Sequence, residues 1–396
     1  MTQLDQTVAA EFKFSPFTPE VRQDPYPYYK RLRENFPVYE VKPAGLWAVS
    51  RYDDVVYVLG HPQVFSSSIM APADTTLLGT DPPEHTRVRK IISRAFSPPR
   101  IVALREKVQS VTYSMFRSIT SRKEFDLVSD FSIPLPMVMI TEMLGLESSR
   151  YADFKRWSAA VVVAGSGTPS PELHPELLRS IEEFNSFFQG VIYDRQLNPG
   201  DDFISTLLHS EASEEVLTPQ QVLSICKLLL IAGNETTTNL IGNAVLALLR
   251  NPAQLVKVIA EPNLVPALVE ETLRFDSPVQ FLRRRATQDV EVSGTKIPAG
   301  SAVAAILGSA NRDDRKFNAP DEFDIERNAR DHIGFGHGIH SCLGASLARM
   351  EATTALEAFL TLLPQLRVAQ VLDKIALIDS VQLRGPKYLR FTVIGR

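Results

Sequence analysis

Apolar and polar residues follow two different periods along this chain, and the two periods divide it into regions. Over about 83–275, and again over about 343–362, apolar residues recur every three or four positions, which predicts amphipathic helices. Over about 36–66, 285–310 and 375–396 they alternate or form short runs between turn residues, which is typical of strands. The pattern therefore predicts a mainly α protein with a small β part built from both ends of the chain.

Individual elements follow from the same pattern. A helix is predicted at Tyr26–Asn35, before the first strands. Proline and glycine punctuate short segments without forming a linker that would separate two domains, so we predict one domain over residues 1–396. The predicted strands lie at Val38–Val41 and Leu46–Val49, around Val290, Val292 and Ile297, and at Ala302–Leu307, Leu377–Val381 and Leu389–Val393.

The longest predicted helix has the clearest boundaries. Thr218 and Gln221 have the spacing of a capping box, and Pro219 occupies the first helical position. The pattern then continues until Asn251-Pro252 stops it. A helix of this length spans about 48 Å, so we expect it to cross the whole core.

The middle of this helix, Ala232-Gly233-Asn234-Glu235-Thr236-Thr237-Thr238, is unfavourable for a helix. Glycine, asparagine and β-branched residues have low helix propensity. Such a local conflict inside a strong helix often marks function or a bend. A glycine packing contact beside solvated polar residues is the alternative, but the apolar residues on both sides favour a functional segment.

Composition narrows the class of protein. The chain has 396 residues, 44% of them hydrophobic, and 42 basic against 46 acidic residues give a net charge of −4. This balance gives no reason to expect nucleic acid or an anionic membrane as a partner. The two cysteines, Cys226 and Cys342, form no disulfide framework, which favours a reducing, cytoplasmic location. Because no apolar run reaches about 18 residues, we expect no transmembrane helix or membrane anchor.

The run Phe335-Gly336-His337-Gly338-Ile339-His340-Ser341-Cys342-Leu343-Gly344 carries the most specific chemistry of the chain. Its glycines permit tight or left-handed turns and the close approach of a flat ligand. Cys342 comes just before a predicted helix, where partial positive charge and free amide groups stabilise a thiolate. An isolated cysteine in a turn is more often a buried structural residue, but the surrounding spacing favours a metal ligand.

This run resembles the haem-ligand loop of the cytochrome P450 family. The resemblance extends over nearly the whole chain and is closest to soluble bacterial members. It implies the P450 fold, with the long helix crossing the core over the haem. It also implies a haem b with the Cys342 thiolate as its axial ligand, and O2 as a co-substrate. The residues that the family motif places around the haem are Phe335, Gly336, His340, Cys342 and Gly344.

The unfavourable segment of the long helix is similar to the oxygen-activation segment of the same family. Oxygen activation needs protons, and a threonine hydroxyl can donate a hydrogen bond while a nearby carboxylate relays protons from solvent. By match to the family motif, Thr236 is the hydroxyl donor and Glu235 its acidic partner. Ala232 and Gly233 would let oxygen and substrate approach the iron.

Glu271 and Arg274 have i, i+3 spacing on a predicted helix, so their side chains share one face. Surface pairs of this kind are common and nearly neutral in energy. The resemblance identifies this one as the family's buried ion pair behind the haem loop, which is a folding element. Arg315 and Arg327 are both candidates for the arginine that completes it, and the sequence does not choose between them.

Partners for the haem propionates are expected from three segments. His85 and Arg89 are four residues apart on a predicted helix, so they project from one face. A buried haem brings two propionates, which need cationic or hydrogen-bonding partners. The resemblance assigns His85, Arg89, His340 and Arg284 to that role. A surface charge is the alternative, and the three consecutive arginines at 283–285 leave the register of Arg284 open.

Together these motifs imply a haem-thiolate monooxygenase that inserts one oxygen atom from O2 into an apolar small molecule. No flavin or nicotinamide domain is visible, so electrons would come from NAD(P)H through a ferredoxin reductase and a ferredoxin to a monomer. A peroxide-driven peroxygenase and a non-catalytic haem ligand binder are the alternatives, and the Glu235–Thr236 pair argues against both. Basic residues that could steer an acidic electron donor, or else form a solvated helix face, are Arg87, Lys90, Arg94 and Arg100.

Placement within the family, rather than chemistry visible in the sequence, indicates the substrate pocket. An apolar pocket favours hydroxylation or epoxidation of a fatty acid, a terpenoid or a steroid-like molecule. The predicted lining residues are Ile69, Met70, Val162, Leu229, Ala232, Val279, Phe281 and Val381.

Overall fold

The computed structural model describes residues 12–69, 77–147, 150–165, 174–209 and 216–394. Helices dominate, and within the described ranges none is long and apolar enough to cross a bilayer. The helices are α1 (Pro19–Gln23), α2 (Tyr26–Asn35), α3 (Tyr52–Gly60), α4 (Glu84–Ala95), α5 (Pro98–Ala103), α6 (Arg105–Ile119), α7 (Pro134–Met143), α8 (Tyr151–Gly165), α9 (His174–Leu197), α10 (Phe203–Leu208), α11 (Pro219–Arg250), α12 (Pro252–Ala260), α13 (Val265–Phe275), α14 (Leu307–Ala310) and α15 (Ala345–Leu362).

Within the described ranges, the β part consists of three small sheets. The largest has the strand order β1-β2-β8-β5-β3, in which β2 and β8 are parallel and the other neighbours antiparallel. It joins strands from the first 70 residues to strands after α13, as the hydrophobic pattern predicts. The strands are β1 (Val38–Val41), β2 (Leu46–Val49), β3 (Phe65–Ser66), β4 (Glu124–Asp126), β5 (Leu282–Ala286), β6 (Val290–Val292), β7 (Thr295–Ile297), β8 (Ala302–Ala305), β9 (Leu366–Val368) and β10 (Arg390–Val393).

Most of the predicted elements are confirmed, and two differ. The strand expected at Ala302–Leu307 ends at Ala305, and α14 begins at Leu307. No strand forms at Leu377–Val381, where Leu377 makes only an isolated bridge. The reason is a turn at Ser380, whose hydroxyl accepts hydrogen bonds from the next backbone amides and bends the chain.

Helix α11 organises the core. Thr218 and Gln221 form the predicted capping box at its start. Its first part, up to Leu230, packs in an apolar cluster with aromatic residues of α8 and α9, such as Phe154 and Phe184. Its last part, from Leu240, packs in a second cluster with α6, α13 and α15. The unfavourable segment 232–238 lies between the two clusters, so the packing leaves room for a site beside this segment.

Candidate active site

A cavity of about 380 Å³ lies between the middle of α11 and the loop that precedes α15. This volume is within the usual range of small-molecule sites. The α11 side contributes Ala232, Glu235 and Thr236, and the loop side contributes Phe335 and Cys342. The structure therefore brings together the two motifs that the sequence analysis selected, although they are about a hundred residues apart in the chain.

The Cys342 side chain is exposed to this cavity. Its amide donates a 2.9 Å hydrogen bond to the carbonyl of Phe335, which closes the loop. Burial raises the pKa of the thiol, whereas a hydrogen bond from the Gly344 amide and the charges of Arg89 and Arg349 act to lower it. The sulfur is thus held by donors and cations that favour its thiolate form once a metal replaces the proton.

Two glycines of the loop have conformations that other residues rarely adopt. Gly336 has φ +76° and Gly338 has φ +72°. A Cβ atom at Gly338 would also lie 2.5 Å from the carbonyl oxygen of Leu59, so this position needs glycine for both reasons. Gly344, by contrast, has φ −82° as the N-cap of α15, and its Cβ would meet nothing nearer than Cys342 Sγ at 4.0 Å.

On the opposite side, Thr236 and Glu235 face the cavity as part of α11. The Thr236 hydroxyl donates a 2.7 Å hydrogen bond to the carbonyl of Ala232 one turn earlier. Burial raises the pKa of Glu235, and no described residue forms a hydrogen bond or ion pair with it. A Cβ at Gly233 would lie 2.8 Å from Ile140 Cδ1 of α7, so this glycine also serves helix packing.

The predicted propionate partners form one cluster, which borders the cavity through Arg89 and His340. The rings of His85 and His340 lie 4.2 Å apart. Both ring nitrogens of His85, Nε2 of His340 and one terminal nitrogen of Arg284 are buried without a hydrogen-bond partner. Arg284 is 3% exposed, whereas Arg283 and Arg285 are exposed, which answers the question of register.

Buried polar nitrogens without partners are costly unless a ligand satisfies them. Such a cluster suits the two carboxylates of the haem propionates, so the residues present fit a haem. Arg89 differs from the other three, because its guanidinium donates a 2.6 Å hydrogen bond to the carbonyl of Ser341. Arg89 therefore holds the loop of residues 335–344, which we call the thiolate loop, even without a propionate.

The ion pair behind the loop is fully buried. Arg274 contacts both carboxylate oxygens of Glu271, with Nε–Oε2 at 2.7 Å. Arg327 also contacts this carboxylate at 3.3 Å, whereas Arg315 pairs with Asp313 near the surface. Arg327 is therefore the third member of the group that the sequence could not select.

A second network beside this pair was missed by the sequence analysis. Arg349 of α15 donates two hydrogen bonds to Glu270, at 2.6 and 2.9 Å, and stacks over the Phe335 ring. His332 Nε2 lies 3.0 Å from the same carboxylate, while its Nδ1 accepts from the Gly334 amide. Although burial acts to raise the pKa of Glu270, the hydrogen bonds from His332 and Arg349 lower it to about 2. The only sequence signal was the acidic residue next to Glu271.

Glu351 was also missed. It lines the cavity from α15, is 2% exposed, and its Oε2 has no partner among the described residues. Burial raises the pKa of this carboxyl to about 8. A carboxylate on the apolar face of a predicted helix, one turn after Leu347, was the signal that could have found it.

The predicted substrate residues separate into three groups. Leu229, Ala232 and Val279 line the cavity. Three others do not line it: Ile69, Phe281 and Val381. Phe281 instead packs in an apolar cluster near the N-terminus. Val381 borders a separate small cavity, because the turn at Ser380 directs its side chain away from the main one. Met70 and the side chain of Val162 lie outside the described residues. Apolar lining residues that were not predicted include Leu77, Leu78, Ile140, Met143, Leu228 and Leu282.

Comparisons with known proteins agree with this geometry. The family model described as cytochrome P450 matches residues 168–364. The putative cytochrome P450 YjiB of Bacillus subtilis is 40% identical over 356 residues, which cover 88% of this chain and 89% of that protein.

Solved structures show the same fold over nearly the whole chain. CYP109Q5 from Chondromyces apiculatus has a TM-score of 0.89 and 37% identity, over 97% of this chain and 99% of that one. CYP109E1 from Bacillus megaterium in complex with corticosterone has a TM-score of 0.86 and 34% identity, over 94% and 99%. The chain belongs to the cytochrome P450 family and has the fold of these oxidoreductases, with its long helix α11 beside the candidate haem cavity.

Proposed function

We propose that this P450 holds haem b through the thiolate of Cys342 and inserts one oxygen atom from O2 into an apolar small molecule. The observation that carries the proposal is the cavity itself. It has a cysteine on one side and an acid and a threonine hydroxyl on the other, and His340 connects it to a cluster of buried nitrogens without partners. Each of these groups lacks a complete set of protein partners, and these residues would hold a haem and its two propionates.

The chain's own residues have distinct tasks in this proposal. The Gly344 amide and the cations of Arg89 and Arg349 stabilise the Cys342 thiolate. His85, Arg284 and His340 hold the propionates with nitrogens that are otherwise orphaned. When bound, haem supplies an iron centre for oxygen reduction, with thiolate electron density that favours O–O cleavage.

Proton delivery is assigned to α11. The Thr236 hydroxyl is tethered to the Ala232 carbonyl, which orients its oxygen toward the cavity. Glu235 is partly buried, and its raised pKa brings the carboxyl nearer to neutral pH, where it can both accept and release a proton. Solvent protons would thus pass from Glu235 to the hydroxyl of Thr236.

The apolar wall supports hydroxylation or epoxidation of a terpenoid or steroid-like molecule. The lining is mostly aliphatic, from Leu77 and Ile140 on one side to Val279 and Leu282 on the other. One structural relative, CYP109E1, was solved with corticosterone, which indicates the size of molecule that this fold admits. A fatty acid is the weaker candidate, since it needs a partner for its carboxylate.

Electrons are proposed to come from a ferredoxin and its reductase, with NAD(P)H as their source, to a cytoplasmic monomer. Both cysteines are free thiols, as a reducing compartment requires. Of the four basic residues suggested for docking, Arg87 pairs with Glu84 and Arg100 with Asp201. Their charges are therefore partly neutralised, and so is the charge of Arg349 near the thiolate, which pairs with Glu270.

Thr236→Ala tests the proposal. We expect substrate-dependent NAD(P)H consumption to continue while the product formed per NAD(P)H falls several-fold and peroxide release rises. Thr361→Ala is a matched control, because Thr361 donates the same i−4 hydrogen bond on α15 but is exposed and outside the cavity. Unchanged coupling in Thr236→Ala would remove this residue from the mechanism. A peroxygenase would instead show full activity with peroxide and no dependence on Thr236.

A further inference from the structure

One polar side chain in the apolar wall of the cavity is not explained by haem binding or by proton delivery. Gln382 lines the cavity beside Val279, Leu282 and Leu383. Most of the other polar lining residues belong to the thiolate loop or to α11, and have the roles proposed above. An amide among aliphatic side chains is expensive to bury unless its hydrogen bonds are made.

The orientation of the Gln382 amide is fixed by its partner. Its Nε2 donates a 3.1 Å hydrogen bond to the carbonyl of Phe281. A carbonyl can only accept, so the nitrogen must face Phe281 and the oxygen must face elsewhere. No described residue donates a hydrogen bond to Gln382 Oε1, and protein does not bury this atom completely. The acceptor that this cavity-lining side chain can offer is therefore Oε1.

The backbone that carries this acceptor is rigid. The Gln280 amide donates to the Gln382 carbonyl at 2.8 Å, and the Arg384 amide donates to the Pro278 carbonyl at 2.9 Å. Between them, Val279 and Leu383 form an antiparallel bridge. Arg384 is in turn held by Asp276 at 2.7 Å. A fixed acceptor discriminates between ligands because it cannot rearrange to suit a wrong partner.

The charges around the cavity oppose a carboxylate ligand. Among the described lining residues, Arg89 is the permanently cationic one, and it is engaged by the Ser341 carbonyl. Glu235 on the α11 side adds negative charge when ionised. A fatty-acid headgroup would therefore meet an acceptor oxygen and an acid without a free cation, which disfavours its burial.

We propose that Gln382 Oε1 accepts a hydrogen bond from a hydroxyl group of the substrate, and that the natural substrate is a rigid apolar alcohol, such as a hydroxysteroid or a terpene alcohol. This inference rests on the proposed function and names its substrate class. A ketone of the same skeleton would place its oxygen against Oε1 without a proton between them. A bare hydrocarbon would leave the acceptor unpaired.

The test compares an alcohol and the ketone of the same skeleton. Dissociation constants of 5α-androstan-17β-ol and 5α-androstan-17-one, and of menthol and menthone, are measured by equilibrium dialysis and by the spin-state change of the ferric holoprotein. For at least one pair we expect the alcohol to bind about tenfold more tightly than its ketone, as one hydrogen bond provides. Gln382→Met, which keeps the length and removes the amide, should weaken the alcohol about tenfold and change the ketone less than about twofold.

Leu383→Met is the matched control, because Leu383 lines the same wall without a polar atom. It should change the affinities for alcohol and ketone by equal factors. Equal affinities for alcohol and ketone in the wild type would overturn the inference. A Gln382→Met variant that weakens the binding of alcohol and ketone equally would also overturn it, because this would indicate a structural role. Failure of the wild type to bind either alcohol would overturn it as well. In every case a thiolate-type spectrum of the reduced carbon monoxide complex tests the haem assignment separately, and coupled NAD(P)H consumption tests the proposed reaction separately.

Discussion

Glu271 and Arg274 form an ion pair in which neither side chain has any solvent exposure, with Nε–Oε2 at 2.7 Å. Arg274 also donates to the carbonyls of Asn311, Pro320 and Glu322, so it ties α13 to the chain before the thiolate loop. Removing one partner of such a pair leaves an uncompensated buried charge. The pair therefore anchors the chain before the thiolate loop to helix α13.

Glu271→Ala should destabilise the protein by about 3–5 kcal/mol, the usual cost of breaking a buried pair. Because total stability is about 5–15 kcal/mol, we expect a large loss of folded, haem-containing protein, measured by urea unfolding and haem content. Arg315→Ala is the control, since Arg315 is about half exposed and its loss should cost less than about 1 kcal/mol. Equal losses of stability in the two variants would contradict a stabilising role of the buried Glu271–Arg274 pair.

Glu270 should position the thiolate loop through Arg349 and His332. Glu270→Ala leaves the buried His332 ring without its carboxylate and frees Arg349 from the Phe335 ring, at a cost of about 1–3 kcal/mol. We expect a lower melting temperature and a reduced carbon monoxide complex in which part of the thiolate signature is lost. Glu326→Ala removes an exposed partner of Lys257 and should leave both properties unchanged. A wild-type spectrum in Glu270→Ala would exclude a positioning role.

Gly338 should be intolerant of a side chain, whereas Gly344 should accept one. Gly338→Ala forces a Cβ to within 2.5 Å of the Leu59 carbonyl oxygen at a positive φ of 72°. Strain of this kind costs about 1–3 kcal/mol. Gly344→Ala adds a Cβ whose nearest neighbour is Cys342 Sγ at 4.0 Å, at φ −82°. The melting temperature of the protein without haem should fall in the first variant only; a larger loss in Gly344→Ala would be evidence against this loop geometry.

Stability should depend on the ionisation of Glu351. Burial raises the pKa of this carboxyl from 4.5 to about 8. The unfolded chain loses the proton near pH 4.5, so the folded state holds a proton that the unfolded state has released between these two values. The protonated Glu351 carboxyl therefore makes its full contribution to the free energy of unfolding below about pH 4.5, and this contribution declines as the pH rises toward about 8.

Glu351→Gln removes the ionisable group and keeps its shape. Between about pH 5.5 and 8, the melting temperature of the wild type should fall relative to that of Glu351→Gln, and the variant should be the more stable protein at the upper end. Glu357→Gln, on an exposed position of the same helix, serves as the control and should follow the wild type. Parallel curves for wild type and Glu351→Gln would show that the carboxyl is not protonated in the folded state.

Much of the fold could be predicted because its signals are local. The capping box of Thr218 and Gln221, the proline after it and the Asn251-Pro252 stop lie next to the ends that they define. The thiolate loop could also be predicted from the sequence, because glycines and a cysteine within ten residues determine both its conformation and its chemistry. Such features need no knowledge of what packs against them.

Other features depend on contacts between distant segments. Arg327 and Arg315 are equivalent in sequence, and only the packing of the chain after α14 brings Arg327 to Glu271. The Glu270 network joins residues 62 and 79 positions apart. Val381 and Gln382 are neighbours, yet only Gln382 reaches the main cavity, because the Ser380 turn sets the register of that loop. A shift of one residue therefore decides which side chain borders the main cavity.

The most direct test of the central claim is the absorption spectrum of the reduced protein with carbon monoxide. We expect the thiolate-type band in the wild type and in Cys226→Ala, whose sulfur is buried in the core and outside the cavity. In Cys342→His we expect the band to disappear, even where haem stays bound. A wild-type protein without this band, or a Cys342→His variant that keeps it, would contradict the assignment of Cys342 as the haem ligand.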